Sequence, residues 1–280
     1  MSSERIDARP ALAAGRARMS PRRRGQISRG VQYVVIAVVL VLLALSADWG
    51  QLGETFFNRA ALDFVGPKLP RAALNTITYT AAAFAVSISL GTTLALMKLS
   101  SVRFYRIVAT GYVEFFRGIP ALLVVFAFGY AIPTAFQIRF ESIVLQIALA
   151  LGSVSAAYTA ETIRAGIQAV PKGQIEAARS LGLSSGATLR LVTIPQAFRI
   201  VLPPLTNEVV LLLKDTSLVF GLALGLGDLE LTMVGRKALS QAEGGLTAIV
   251  LVGLVYLLIT IPLSSLTRWL ERKTGYKGHV

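Results

Sequence analysis

The chain has 280 residues, of which 54% are hydrophobic and only 15% charged, against about 25% charged in average soluble domains. It contains no cysteine, which excludes disulfides and thiolate metal sites. The single histidine, His279, stands next to the C-terminus, which excludes histidine-based catalysis and most metal-site designs. Apolar runs of roughly 20 residues, long enough to cross a bilayer, predict an all-α polytopic membrane protein.

The N-terminal segment, residues 1–30, holds eight arginines and two acidic residues among Ala, Gly, Ser and Pro. This composition predicts a disordered cytoplasmic tail. An uncharged apolar run follows at residues 31–47 and predicts a first transmembrane helix. A cleaved signal peptide is the alternative, with Ala44-Leu45-Ser46 as a weak cleavage match. The long basic segment before the apolar run favours a retained helix.

Five further apolar runs predict a helical transmembrane domain at residues 72–267, after a non-cytoplasmic connection at 48–70. The second of these runs is broken by Gly118 and Pro120, because proline removes a backbone donor and does not continue a helix. The five spans are predicted at residues 72–97, 107–132, 142–167, 198–224 and 245–267.

Charge placement predicts the topology of these spans. Lys and Arg concentrate in residues 1–30, 98–106, 164–199 and 268–280, which fall on one side if the spans alternate. By the positive-inside rule, that side is the cytoplasm, and both termini lie in it. The net charge of +13 is therefore interpreted as a topology signal and not as a nucleic-acid surface.

A polar, basic segment at residues 157–195 separates two of the spans. Pro171 suits the start of a short helix, and good helix formers follow it over residues 174–181. Gly182 suits the left-handed position that ends such a helix, and Ser184 suits the N-cap of a second one. The pattern predicts a helix–Gly–helix element, which is either a docking surface or an ordinary structured loop.

Charged side chains within predicted spans cost about 2.5–3.5 kcal/mol each, so they face the bundle interior or a water-filled route. Glu114 and Arg117 are three residues apart, as are Glu161 and Arg164. This spacing allows each pair to bond to itself on one helix face. These residues are therefore either structural ion pairs or part of a polar route.

Asn207 and Glu208 follow two consecutive prolines, Pro203 and Pro204, and broken helices at membrane depth are tolerated where they line a cavity. Lys214 lies on the same helix and either joins the route or extends to an interface. An amino acid needs donors for its carboxylate and an acceptor for its ammonium, and these side chains supply both. The residues predicted for a substrate path are Asn75, Glu114, Arg117, Glu161, Asn207, Glu208 and Lys214.

The sequence contains no Gly-Lys-Ser/Thr, so it has no P-loop. No catalytic constellation or metal site is predicted either. If transport is active, its energy comes from another chain or from an ion gradient. The alternatives at this point are an ion-coupled secondary amino acid transporter and a membrane-anchored scaffold protein whose basic tail binds anionic lipid.

Residues of the polar segment resemble the EAA loop of type I ABC importer permeases: Glu176-Ala177-Ala178, Gly182 and Val192-Thr193-Ile194-Pro195. Further stretches resemble the polar amino acid branch of that family, over about residues 70–272. These stretches are Glu114-Phe115-Phe116-Arg117-Gly118-Ile119-Pro120, residues 158–167, residues 195–199, Asn207-Glu208 and residues 214–219.

The resemblance implies a five-helix permease core in a bacterial plasma membrane. It does not cover the apolar run at residues 31–47, which is predicted as one extra N-terminal transmembrane helix. It implies a coupling loop at about residues 168–195, by which a cytoplasmic ABC ATPase dimer is engaged. It also implies a second permease subunit, an extracytoplasmic binding protein and a polar amino acid substrate. No cofactor is expected in this chain, since ATP and Mg²⁺ would bind the ATPase. The residues implied in coupling are Gln174, Glu176, Ala177, Ala178, Arg179 and Gly182.

Overall fold

The structure, a computed structural model, describes residues 21–241 and 246–274. Within these residues the chain forms α-helices with short 3₁₀ and π turns and no strand, as the all-α prediction required. Residues 1–20 of the predicted N-terminal tail and residues 275–280 of the C-terminal tail lie outside the described residues. The helices are α1 Pro21–Ser46, α2 Trp49–Phe56, α3 Arg59–Val65, α4 Leu69–Leu99, α5 Arg103–Gly118, α6 Ala121–Phe126, α7 Ile132–Phe136, α8 Ile143–Gln168, α9 Lys172–Ser180, α10 Ser185–Thr188, α11 Ile194–Asp215, α12 Leu231–Gln241 and α13 Thr247–Thr274.

Contacts divide the chain into two units, residues 1–52 and 53–280. The first unit contains α1, whose segment Arg29–Ser46 is long and apolar enough to cross a bilayer. Residues 21–30, predicted as the end of the tail, instead form the first turns of this helix. Good helix formers such as arginine and glutamine allow the helix to extend beyond its apolar part.

In the second unit, α4 and α8 pack closely because small residues line their contact. A Cβ atom added to Gly91 of α4 would lie 2.6 Å from the Thr159 side chain of α8. One added to Gly152 of α8 would lie 2.7 Å from the Val86 side chain of α4. Transmembrane helices commonly associate through such small residues, which let the two backbones approach. These two helices form the centre against which α5 and α11 also pack.

The predicted break at Gly118 and Pro120 is a sharp bend. Arg103–Gly118 and Ala121–Phe136 meet at 104°, so they form either one broken span or a re-entrant pair. In the described chain, five helical segments are long and apolar enough to span a membrane, or six if this bent pair counts as one span. Proline at the break removes a backbone donor, but the sequence does not specify the angle.

The predicted connection at residues 48–70 is largely helical. It forms α2, α3 and a 3₁₀ turn at Gly66–Lys68. Asn58 caps α3, because its side-chain oxygen accepts from the backbone N–H of Ala61 at 3.1 Å. Ala61 and Val65 are fully buried, so α3 adds an apolar face to the second unit.

The helix around the two consecutive prolines also differs from its predicted bounds. A π-helical turn at Leu189–Thr193 leads into α11, which contains Pro203 and Pro204 and ends at Asp215. A 3₁₀ turn, Thr216–Gly221, then continues the segment predicted as transmembrane. The path candidates of this segment consequently lie on α11 itself.

Candidate functional site

The predicted helix–Gly–helix element is present at the end of α8. Helix α9 follows Pro171 and ends in a Schellman motif, in which Leu183 N–H donates to Ala178 O at 3.2 Å and Gly182 N–H to Arg179 O at 3.0 Å. Gly182 has a φ of +86°, the left-handed conformation that glycine adopts without steric cost. The structure therefore places the glycine where the sequence predicted it.

Helix α10 begins at its predicted cap. The Ser184 hydroxyl oxygen accepts from the backbone N–H of Ala187 at 3.2 Å, which satisfies one donor of the first turn. Capping at both sides of Gly182 fixes the relative direction of α9 and α10. The predicted coupling loop is thus an ordered element and not a slack connection.

Five of the six predicted coupling residues are exposed on this element, and one is not. Ala178 is buried against the rest of the chain, so it holds α9 in place. The Arg179 guanidinium donates to Leu183 O at 2.9 Å and reinforces the end of α9. The exposed coupling residues are Gln174, Glu176, Ala177, Arg179 and Gly182.

Leu181 is a feature of this surface that the sequence did not single out. Its side chain is 85% exposed although it is a large apolar residue beside the polar α9. The sequence pattern does not identify Leu181, because the exposed side of α9 depends on how the helix packs against the rest of the chain. Single exposed apolar side chains are common on protein surfaces, so a substitution is needed to test whether Leu181 contacts a partner.

Glu161, a path candidate, is engaged in an ion network at the same end of the bundle as α9. Its carboxylate accepts from Lys98 Nζ at 2.5 Å and from Arg164 Nη2 at 2.6 Å. The predicted pairing of Glu161 with Arg164 is confirmed, and Lys98 joins it from α4. Arg164 also donates to Gln168 Oε1 at 2.7 Å. One carboxylate therefore holds α4 and α8 together.

Glu114 and Arg117 behave differently from Glu161 and Arg164 despite the same spacing. Both are exposed on α5, and the ion pairs of the described chain do not include one between them. The Arg117 guanidinium instead lies 5.8 Å from the centre of the Tyr158 ring, within cation–π distance. Glu114 therefore remains available to a ligand or another chain.

Asn75 lies at the opposite end of α4 and binds a loop before α12, residues 222–230. Its Nδ2 donates to Gly227 O at 2.8 Å and to Leu229 O at 2.9 Å. The Tyr79 hydroxyl donates to Asp228 O at 2.7 Å. We call these side chains of α4 the α4 clamp; they fix the backbone of the loop. Both amide protons of Asn75 are used for this purpose.

Glu230 ends the same loop and caps α12. Its carboxylate accepts from the backbone N–H groups of Thr232 and Met233, each at 2.6 Å, and from the Tyr256 hydroxyl at 3.2 Å. Burial raises the pKa of Glu230 to about 7, against these hydrogen bonds, which lower it. The loop is therefore tied to α4, α12 and α13.

The α11 candidates face different surroundings. Asn207 is exposed, whereas Glu208 is half-buried and accepts from Ser155 Oγ of α8 at 2.7 Å. Lys214 lines a cavity of about 590 Å³ between α11 and α13, together with Ser217, Tyr256 and other residues. In the described part of the chain, no hydrogen bond or ion pair joins the seven path candidates to one another. The same described residues contain no cluster of three side chains able to hold a metal ion.

The described residues form helices with several candidate membrane spans and an exposed, capped helix–Gly–helix element, which define a multi-span helical membrane protein. A sequence model described as "Binding-protein-dependent transport system inner membrane component" matches residues 68–276, about three quarters of the chain. The chain belongs to this family of permeases.

Individual relatives agree with this assignment. The chain is 36% identical to the probable glutamine ABC transporter permease protein GlnM of Bacillus subtilis, over 71% of this chain and 89% of the relative. It is 34% identical to the glutamate/aspartate import permease protein GltK of Escherichia coli, over 71% and 90%. These relatives favour an ATP-driven importer over the ion-coupled alternative.

Solved structures give the same fold. A crystal structure of an amino acid ABC transporter with histidines superposes with a TM-score of 0.67 at 33% identity, covering 74% of this chain and 94% of that one. The methionine ABC transporter MetNI, in an inward-facing conformation, superposes with a TM-score of 0.58 at 16% identity, covering 78% and 99%. The second likeness is one of fold alone.

Proposed function

We propose that the chain is the membrane-spanning permease subunit of an ATP-driven importer for a polar amino acid. The family match over residues 68–276 carries this proposal. The names of relatives that import glutamine or glutamate and aspartate support the substrate class. The chain itself is non-catalytic, because ATP and Mg²⁺ bind the partner ATPase.

The coupling loop is the proposed docking site of a cytoplasmic ABC ATPase dimer. The two caps around Gly182 make it stiff, and a stiff exposed element can transmit a rigid-body movement when the ATPases close. Gln174, Glu176, Ala177 and Leu181 form its free surface in this proposal. Ala178 and Arg179 maintain its shape.

The path is proposed to form between two permease subunits, either two copies of this chain or this chain and a homologue. Glu114, Arg117, Asn207, Glu208 and Lys214 line it in this arrangement. Among the described residues, the four charged side chains of this set have no ion-pair partner, and Asn207 is exposed. Glu161 and Asn75 contribute by holding the two ends of α4. An extracytoplasmic binding protein delivers the amino acid, and both termini of the permease lie in the cytoplasm of a bacterium.

Reconstitution tests the proposal. The chain is placed in proteoliposomes with the ATPase and binding protein encoded nearest to its gene, and uptake of a radiolabelled mixture of L-amino acids is measured. Uptake is expected only when ATP, the ATPase and the binding protein are all present. The matched control is an ATPase whose P-loop lysine is replaced. If the complex with this variant ATPase takes up amino acids as fast as the unmodified complex, the proposal is overturned.

A further inference from the structure

A row of buried hydroxyl groups links three helices and ends on Glu208. Ser87 Oγ of α4 lies 2.8 Å from Ser155 Oγ and 2.8 Å from Thr159 Oγ1, both of α8. Ser155 Oγ in turn lies 2.7 Å from Glu208 Oε1 of α11. Ser87, Ser155 and Thr159 are buried, so bulk water does not compete for their hydroxyl groups.

The direction of every proton in this row follows from the last bond. The Ser155 hydroxyl donates to Glu208 Oε1 at 2.7 Å. Ser155 then has no proton left for Ser87, so Ser87 donates to Ser155. By the same reasoning, Thr159 donates to Ser87. All three protons point towards Glu208, and hydrogen bonds in such a row polarise and strengthen one another.

The row holds one oxygen of Glu208 and leaves the other open. Oε1 accepts from Ser155, whereas Oε2 has no donor among the described residues. The two oxygens sit on a rigid plane, so fixing one restricts where the other can lie. A half-buried carboxylate with one oxygen fixed and one open is suited to accept from a single cationic group.

We propose that Ser155, supported by Ser87 and Thr159, is a positioning residue for substrate passage. It holds the Glu208 carboxylate so that Oε2 receives the ammonium group of the amino acid in transit. Ser155 itself does not touch the amino acid and acts only through Glu208. This inference rests on the proposed function, in which Glu208 lines the path.

A merely structural role for Ser155 predicts different behaviour. If the hydroxyl only joins α8 to α11, its removal would lower the amount of folded complex. The transport activity of each folded complex would stay unchanged. Loss of a positioning hydroxyl instead lowers the probability that each ATP-driven cycle carries an amino acid across. The number of ATP molecules hydrolysed per amino acid transported separates the two roles.

The experiment measures this ratio in proteoliposomes containing the complete importer, with saturating binding protein and a radiolabelled mixture of L-amino acids. Ser155→Ala and Glu208→Gln are each expected to raise the ratio at least about tenfold, the lower end of the loss expected for one hydrogen bond to a charged group. The double variant is expected to match Glu208→Gln alone, and Ser155→Thr, which keeps a hydroxyl, is expected to restore coupling.

Ser153→Ala is the matched control. Ser153 lies on the same helix and is also buried, but its hydroxyl donates to Leu149 O of its own helix at 2.6 Å. For Ser153→Ala, the number of ATP molecules hydrolysed per amino acid transported is expected to equal that of the unmodified importer. Ser87→Ala provides a second test of the row if Ser155→Ala yields too little complex, and a raised ratio is expected there also.

Two results separate the inference from the proposed function. If Glu208→Gln raises the ratio but Ser155→Ala and Ser87→Ala match Ser153→Ala, the positioning role is overturned while the path role of Glu208 stands. If Glu208→Gln leaves the ratio unchanged, Glu208 does not line the path, and the inference fails with it.

Discussion

Lys98 Nζ and Glu161 Oε1 lie 2.5 Å apart and join α4 to α8 at the end of the bundle that carries the coupling loop. The two residues are 63 positions apart in sequence. Glu161 also bonds to Arg164, so one carboxylate neutralises charge from two helices. The coupling loop begins within a few residues of this network, which anchors its base.

Replacing Glu161 by Gln is expected to lower the thermal stability of the purified chain. The change leaves Lys98 and Arg164 facing each other without a carboxylate, at a cost of about 2 kcal/mol for a lost hydrogen bond to a charged group. The melting temperature in detergent measures the effect. Glu114→Gln is the control, because Glu114 is exposed and has no ion pair in the described chain; equal melting temperatures for both variants would contradict the anchoring role.

Replacing Gly182 by Pro is expected to uncouple ATP hydrolysis from uptake while membrane insertion persists. Proline fixes φ near −65°, whereas Gly182 has +86°. Gly182→Ala is expected to be milder, because no neighbour lies within 4 Å of an added Cβ, and the left-handed strain costs about 1 kcal/mol. For both variants, the number of ATP molecules hydrolysed per amino acid transported is measured in proteoliposomes.

Gly173 supplies the control for that series. It lies on α9, has open space around an added Cβ and is not among the positive-φ residues. Gly173→Ala is therefore expected to leave coupling unchanged. Uncoupling by Gly173→Ala to the same extent as by Gly182→Pro would show that the backbone conformation at Gly182 is not the cause.

Replacing Leu181 by Ser is expected to weaken binding of the ATPase without unfolding the permease. The side chain is 85% exposed, so its removal costs the isolated chain little, whereas a partner that buries it loses about 2 kcal/mol of apolar contact. Co-purification of the ATPase with tagged permease measures the loss. Leu226→Ser, in the loop at the other end and 82% exposed, is expected to retain the ATPase; if both variants retain it equally, Leu181 is not a docking residue.

Replacing Asn75 by Ala is expected to release the loop at residues 222–230. The variant loses the donations to Gly227 O and Leu229 O, each worth about 1 kcal/mol. Faster amide hydrogen exchange within the loop is the expected result.

Thr78→Ala serves as the comparison for Asn75→Ala, since the Thr78 hydroxyl donates only to Leu74 O of its own helix. In Thr78→Ala, the amide hydrogens of residues 222–230 are expected to exchange at the same rate as in the unmodified chain. Lost uptake in Asn75→Ala with an unchanged loop exchange rate would instead place Asn75 in contact with substrate.

Local features of the fold could be predicted from sequence because their causes lie within a few residues. The cap at Ser184, the left-handed glycine at Gly182 and the pair Glu161–Arg164 all depend on neighbours within one helical turn or one loop. The helical state of residues 48–70 was missed, because its apolar face is recognisable only from the surface that Ala61 and Val65 contact.

Long-range relationships could not be predicted, since no spacing rule connects distant segments. The row from Thr159 to Glu208 joins three helices, and the same spacing that pairs Glu161 with Arg164 leaves Glu114 and Arg117 apart. Asn75 illustrates the same limit: a polar residue at the start of a span fits a path or a clamp equally well until the loop at residues 222–230 is placed beside it.

The source of energy for uptake tests the central claim most directly. Proteoliposomes containing the permease, the ATPase and the binding protein are loaded with ATP on the ATPase side and treated with ionophores that collapse all ion gradients. Amino acid uptake is predicted to continue under these conditions and to stop when ATP is replaced by a non-hydrolysable analogue. Uptake that ends with the ionophores, or that proceeds on an imposed ion gradient without the ATPase, would contradict the assignment of this chain to ATP-driven import.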